Sequence, residues 1–577
     1  MNSSATAPRH RSFIGRWQSH FWTIAVWLVA GAVAFPIVIV FSYVLAPRGE
    51  IWAHLAETVL TRYVANSLIL VTGVGVGVLL IGVPTAWLVT LCRFRGRHWF
   101  DWALLLPMAM PAYVVAYTYT GLLDYAGPVQ SAMRVFFDAP GGLRWLPEIR
   151  SLPGAILMLV LVLYPYVYLL ARAAFLEQSA CVLEVSRTLG CSPWRGFWRV
   201  ALPLARPALV AGVALALMEA LNDFGTVQYF GVETLATGIY RVWRGMGDAV
   251  AGAQIAALLL VLVFILLWIE RWSRGHRSFA HSSTRYRPLP RYQLRGWRAV
   301  CAVMCCALPV LLGFFVPAAV LLSWAIANLD MWSADRFVVL VRNSFMMAGF
   351  AALLAVMLAS ILAYALRLRP SMPTRLAVRI ASFGYAIPGP VLAVGILLPF
   401  AAIDHALNDW LQAAFGLSPG LILSGTLVAV TFAYLVRFLT VSLNVVEASL
   451  GKITYSMDHA ARSLGRTSLG TLGSVHLPIM RGSLLTAAIV VFVDVLKELP
   501  ATLVLRPFNF DTLATMTYNL ASDERLAEAA GPALAIVLVG IVPVYLMARA
   551  SAFARPGQQP AETMTGAPLD GMKITAE

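Results

Sequence analysis

Glu184-Val185-Ser186-Arg187-Thr188-Leu189-Gly190 is followed, ten residues past its glycine, by Val200 and then Leu202-Pro203. The same frame returns as His459-Ala460-Ala461-Arg462-Ser463-Leu464-Gly465, again with Val475 ten residues past the glycine and Leu477-Pro478 behind it. Gly190 and Gly465 lie 275 residues apart, so one piece of structure has been kept in each half of a duplicated chain. Each copy sits in a polar, arginine-bearing loop between long apolar segments. Its glycine can end one short helix and its Leu-Pro pair can start the next, which describes a helix-turn-helix lying against a membrane surface.

Working outward, the 577 residues are 60% hydrophobic and 12% charged, and the apolar residues come in runs. That excludes a soluble globule and indicates a polytopic membrane protein. A helix needs about 20 apolar residues to cross a bilayer. Twelve such runs are present, near 22–46, 66–91, 99–122, 153–176, 207–229, 249–269, 299–327, 343–366, 380–403, 422–446, 484–506 and 527–548. The expected fold is all-α, with twelve transmembrane helices as two parallel six-helix repeats about a pseudo-two-fold axis along the membrane normal. The expected division is a cytoplasmic N-terminus at 1–21, a first half at 22–270 with its loop at about 177–206, and a basic linker at 271–298. The second half follows at 299–549 with its loop at about 447–483, then a tail at 550–577.

The net charge of +15 is distributed by side of the membrane. With the N-terminus inside, 29 Lys and Arg fall in cytoplasmic segments and 10 outside, which places both termini in the cytoplasm. The first run follows Arg9, Arg11 and Arg16 as a signal peptide would, yet it is too long for one and reads as an uncleaved span. The linker carries eight arginines and no acid, a composition that fixes topology and touches anionic headgroups rather than nucleic acid. All six cysteines fall in cytoplasmic loops or at cytoplasmic span ends, which implies reduced thiols.

Further pairs repeat. Asn66-Ser67 answers Asn343-Ser344, Pro111 answers Pro388, and Glu233-Thr234-Leu235-Ala236-Thr237 answers Asp511-Thr512-Leu513-Ala514-Thr515. Gly73, Gly75 and Gly77 permit close helix packing, and Pro107, Pro111, Pro388 and Pro390 should break helical bonding.

No Gly-x-x-x-x-Gly-Lys-Ser/Thr occurs, so the chain has no phosphate cradle and no expected cofactor; ATP, if used, belongs to another subunit. No Gly-x-Ser-x-Gly or histidine-rich cluster suggests an enzyme either. The costly residues lie inside spans, where an ionisable group costs roughly 2.5 to 3.5 kcal/mol. Glu219 and Asp223 share one helix face, and 275 residues later so do Asp494 and Glu498. Four carboxylates beside a central path would suit a hard cation such as Fe3+, touched transiently at Glu219 and Asp223. Alternatively, the intramembrane Lys497 and Arg437 neutralise Asp494 and Glu498 and lock helices together. In the first half Asn222 stands where Lys497 would, leaving Glu219 and Asp223 with no evident partner. Tyr113, Tyr117, Tyr164, Tyr166 and Tyr168 offer phenol oxygens or aromatic packing.

The doubled loop resembles the E-A-A, three residues, G, nine residues, I-x-L-P signature of importer-type ABC permeases. The resemblance implies that Glu184, Gly190, Leu202 and Pro203, and His459, Ala460, Ala461, Gly465, Leu477 and Pro478, form coupling helices that dock on a cytoplasmic ATPase. Where this chain has His459 the family usually has Glu, and Asp458 stands beside it. The surroundings of the carboxylates, Glu219 to Val227 and Lys497 to Leu503 with Arg506-Pro507 beyond, are similar to the ferric-iron branch. That similarity implies a bacterial inner-membrane permease served by a periplasmic Fe3+-binding protein and two copies of the ATPase. Thiamine, phosphonate and polyamine permeases share the architecture, and a proton-coupled secondary transporter is the rival from another class.

Overall fold

The computed structural model describes residues 13–47, 50–138, 147–177, 188, 192–274, 292–328 and 334–552. Among them eleven helices are long and apolar enough to cross a membrane, and a bent pair supplies a twelfth. In chain order the first half has Trp22–Leu45, Leu60–Leu91, the bent pair Arg97–Ala109 with Ala112–Phe136, Leu152–Leu176, Phe197–Asn222 and Ala249–Ser273. The second half has Trp297–Ala327, Asp335–Leu368, Gly389–Phe415, Leu427–Leu450, Ser468–Leu496 and Leu526–Ala548. Large apolar side chains such as Leu28, Leu80, Leu353 and Leu538 are exposed on the outside of this bundle, as lipid contact requires.

The third span is broken where its prolines stand. Met110 and Pro111 are extended, and the helix resumes at Ala112 with its axis turned by 90°. Pro111 lacks an N–H and drives the residue before it out of the helical region. Pro388 does the same in the second half, where it forms the extended residue before Gly389–Phe415. The ninth span therefore starts at Gly389 rather than near 380.

The fifth and eleventh spans also end earlier than expected. Instead of running through 207–229 and 484–506, their helices stop at Asn222 and Leu496, and short helices at Gly225–Tyr229 and Pro500–Leu505 follow a break. Near their other ends both carry one widened turn, Phe197–Ala201 and Leu472–His476, before Leu202-Pro203 and Leu477-Pro478. A widened turn absorbs a proline that cannot donate to the preceding carbonyls. Hence the Leu-Pro pairs do not begin a separate helix but lie inside the span.

Close packing holds the second and fourth spans together. A Cβ on Gly73 would stand 2.7 Å from Ile156, and one on Gly77 2.4 Å from Val160, so only hydrogen fits. Arg172 donates two hydrogen bonds to Asp101, at 2.6 and 2.8 Å, fixing the start of the broken third span against the fourth. The first helix of each half packs on the opposite half. Gly395 presses on the Pro36 carbonyl, where a Cβ would sit at 2.7 Å, and Gly313 presses on that of Leu161 at the same separation.

At one end of the bundle the separate repeats prove to be one device, made twice. Ser67 accepts the Leu235 N–H and Asn66 donates to the Glu233 carbonyl; Ser344 accepts from Leu513 and Asn343 donates to Asp511. Thr234 with Thr237, and Thr512 with Thr515, form reciprocal capping boxes that start the helices so held. Glu233 is clamped by Arg241 at 2.6 Å and Arg62 at 3.1 Å, and Asp511 by Arg506 at 2.6 Å. Hydrogen bonding from Arg241 first, and then from Arg62, holds the Glu233 carboxyl below the usual glutamate range.

Candidate translocation cavity and coupling helices

The breaks after the fifth and eleventh spans face each other across the junction of the halves. Between them lies a cavity of about 780 Å³, counting its opening to solvent. Glu219, Asp223, Asp494 and Glu498 all line it, together with Arg437 and Lys497. Among the described residues no three acidic, histidine or cysteine side chains are gathered closely enough to hold a metal ion. The arrangement is a cavity lined by charged groups of both signs.

Asp223 and Glu498 occupy equivalent places and do equivalent work. Asp223 accepts the N–H groups of Thr226 at 2.9 Å and Val227 at 3.3 Å, and the Thr226 hydroxyl at 3.0 Å. Glu498 accepts the N–H groups of Ala501 and Thr502, both at 3.0 Å, and also the Thr502 hydroxyl. Each carboxylate thus satisfies orphan donors of the short helix after the break.

The expectation that Glu219 and Asp223 lack partners is corrected here. Asp223 is held by its own backbone, and Arg437 reaches Glu219 from the opposite half at 3.4 Å. The same guanidinium lies 3.4 Å from Glu498 and donates to the Asn222 side chain at 2.9 Å. Asn222 Oδ1 also accepts the Gly389 N–H at 2.6 Å, so it bridges the halves. Lys497 pairs with Asp494 at 2.9 Å. Glu498 and Arg437 are almost wholly enclosed, with 1% and 5% of their side chains exposed, whereas Glu219 keeps 26%. Of the tyrosines, Tyr113 and Tyr166 line the cavity. Tyr168 donates to the Asp101 carbonyl, and the buried Tyr117 and Tyr164 are not among the lining residues.

The second copy of the repeated loop contains a nine-residue helix, Tyr455–Ser463. Gly465 ends it with φ at +77°, Gly465 N–H bonding to Arg462 and Arg466 N–H to Ala461. These two bonds form a Schellman stop, which requires the left-handed residue glycine supplies. His459 is exposed, as are the large apolar side chains of Tyr455, Met457, Leu464 and Leu469. Asp458 does not share that face. It is buried, bonded to Arg367 at 2.6 Å and within 3.2 Å of His476. Arg367 also donates to the carbonyls of Leu450 and Ile453, so this network ties the helix Tyr455–Ser463 to the eighth and tenth spans. In the first coupling loop Glu184 and Gly190 lie outside the described residues. Leu202 and Pro203 lie just past the widened turn.

Residues 4–274 match the family described as binding-protein-dependent transport system inner membrane component. The chain is 26% identical over 536 residues to an Fe(3+)-transport system permease protein of Haemophilus influenzae, covering 91% of this chain and 98% of that one. A ferric transport system permease protein of Actinobacillus pleuropneumoniae is 23% identical over 557 residues, covering 89% and 77%. A molybdenum transport system permease protein of Escherichia coli matches 33% of this chain and 83% of its own length, at 26% identity. Two repeated helical halves that meet at a charged cavity, together with relatives matched along nearly the whole length, identify the chain as a multi-pass inner-membrane permease of the importer-type ABC class, in its fused two-half form.

Proposed function

We propose that this permease carries iron(III) across the bacterial inner membrane by alternating access, receiving it from a periplasmic Fe3+-binding protein and driven by two copies of a separate cytoplasmic ATPase. The cavity carries the argument. Four carboxylates against two cations leave it net negative, and the absence of a three-ligand cluster among the described residues suits a path that must pass a trivalent ion on without trapping it. Glu219 is the most exposed of the ion-paired groups that line the cavity and the first candidate to touch cargo. Both termini are assigned to the cytoplasm by the arginine distribution, which puts the coupling helices on the ATPase side. The exposed apolar side chains of Tyr455–Ser463 and its flanks are of the kind that fill a groove on a partner.

Arg437 and Lys497 favour a second reading, in which the cavity receives an oxyanion. The deciding experiment is uptake of labelled ferric iron into proteoliposomes holding the permease, ATPase and binding protein, with molybdate or sulfate as competitors. Iron uptake that needs ATP and survives collapse of the proton gradient supports the proposal. Uptake of the oxyanion instead, or transport without the ATPase, would overturn it.

A further inference from the structure

Away from the central cavity, the described residues form a strongly basic recess where the two halves are clasped. Cys92–Arg93, directly after the second span, pairs as a parallel strand with Tyr292–Gln293, directly before the seventh. The Leu294 N–H adds a bond to the Arg93 carbonyl at 3.0 Å. Beside this clasp is an open recess of about 800 Å³ lined by Arg93, Arg97, His98, Gln293 and Arg295, with Phe94 and Leu294 as its apolar part. No acid lines it, and neither 92–100 nor 271–298 contains one. The acids that border these stretches are Asp101, which accepts two hydrogen bonds from Arg172, and Glu270, which is buried and does not line the recess.

The flanking side chains give the depth of this recess. Trp297 opens the helix of the seventh span and is 72% exposed. Indole rings of this kind settle at headgroup level. Beyond Trp297 the same helix exposes Val300, Met304, Leu308 and Leu311, a stripe three to four residues apart that can only face acyl chains. Basic groups therefore stand at the head of a lipid-facing helix face.

We propose that this recess binds the phosphate of an anionic phospholipid, with Arg93 and Arg295 as its principal ligands and its chains lying along the Val300–Leu311 stripe. Guanidinium groups suit the site because they grip phosphate oxygens in pairs. Since Arg93 directly follows the second span and Arg295 lies in the linker directly before the seventh, the bound lipid reinforces the clasp between the first half and the linker that leads into the second.

The test uses the full chain purified in mild detergent and offered phosphatidylglycerol or phosphatidylcholine, with retained lipid read by native mass spectrometry. Wild type should retain phosphatidylglycerol in preference. Arg93→Gln with Arg295→Gln should lose about 30-fold of that preference, from about fivefold per arginine near an anionic surface. The comparison variant is Arg375→Gln with Arg379→Gln, two exposed arginines of the helix Met372–Ala381 before the ninth span, which should keep the preference. If the double variant does not elute as a single species, Arg93→Gln alone should still show the fivefold loss. Equal retention by the Arg93 and Arg295 variants, or equal loss in the comparison variant, overturns the proposal. Displacement of phosphatidylglycerol by millimolar inorganic phosphate would assign the recess to the free ion and overturn the lipid.

Discussion

Arg437→Met removes one charge from the middle of the protein and keeps an unbranched apolar side chain in place of the arginine stem. The guanidinium is 5% exposed, lies 3.4 Å from both Glu498 and Glu219, and donates to Asn222 at 2.9 Å. Its loss strands Glu498, which is 1% exposed and retains only the donors of Ala501 and Thr502. Removing one partner of a buried pair costs about 3–5 kcal/mol. Glu219 is a quarter exposed and can be hydrated, so Glu219→Gln should cost under about 1 kcal/mol. The assay is expression and thermal midpoint in detergent by fluorescence-detected size exclusion, followed by uptake per folded transporter. Arg437→Met should express poorly and melt well below wild type, and adding Glu498→Gln should recover most of the loss. Glu219→Gln should fold as wild type and transport iron slowly. A wild-type midpoint for Arg437→Met, or no recovery in the double variant, would refute the assignment of Arg437 to a structural ion pair.

The same geometry sets other outcomes. Asp223→Asn keeps an acceptor for Thr226 and Val227, so it should lower stability by about 1 kcal/mol or less while slowing uptake, measured by midpoint and flux together. Gly465→Ala meets no neighbour but forces a side chain into the left-handed region, a cost of about 1 kcal/mol; it should weaken ATPase stimulation by the permease without affecting membrane insertion. Asp458→Ala should unfix the coupling helix by stranding Arg367, and limited proteolysis between Leu450 and Gly465 should accelerate, whereas His459→Ala should leave cleavage unchanged. The depressed Glu233 carboxyl contributes stability above the ordinary glutamate value of about 4.3, lost as pH falls through its lower folded value; the wild-type melting midpoint should fall in that acid range, and Glu233→Gln should remove that component of the fall.

Much of the fold was legible because duplication repeats whatever matters. Pro111 and Pro388 marked real breaks, and Asn66-Ser67 with Thr234 to Thr237 recurred intact. What the repeats did not reveal is that these last two stretches bond to each other, since a contact between residues 168 apart leaves no periodicity. The expected spans at 207–229 and 484–506 were too long because apolar runs continue through a break whose backbone is satisfied by side chains. A local signal existed: Asp223 precedes Thr226 by three residues and Glu498 precedes Thr502 by four, the spacing of a carboxylate that caps a helix start. Arg437 was assigned to its own half for want of any pattern linking it to Glu219, 218 residues earlier. Asp458 stands in sequence beside His459, where the family usually has glutamate, but adjacent helical residues point about 100° apart, and Asp458 falls on the buried side.

The two halves are alike where they build the scaffold and differ where they meet. Glu219 answers Asp494 and Asp223 answers Glu498, but Asn222 stands opposite Lys497, and the fourth span brings Tyr166 to the cavity while the tenth brings Arg437. The second half therefore carries two carboxylates and two cations, and the net negative charge of the cavity resides in the first half. Arg437 leans across to Asn222 and Glu219, and Asn222 in turn holds Gly389. Any motion that parts the halves at this level must break these contacts. Each is a single hydrogen bond or a loose ion pair, worth about 1 kcal/mol net and replaceable by water once the cavity widens. Separation withdraws Arg437 from Glu219 while Glu498 retains its bonds to Ala501 and Thr502 within its own half. The negative charge available to a cation then rises in the same step that opens the passage.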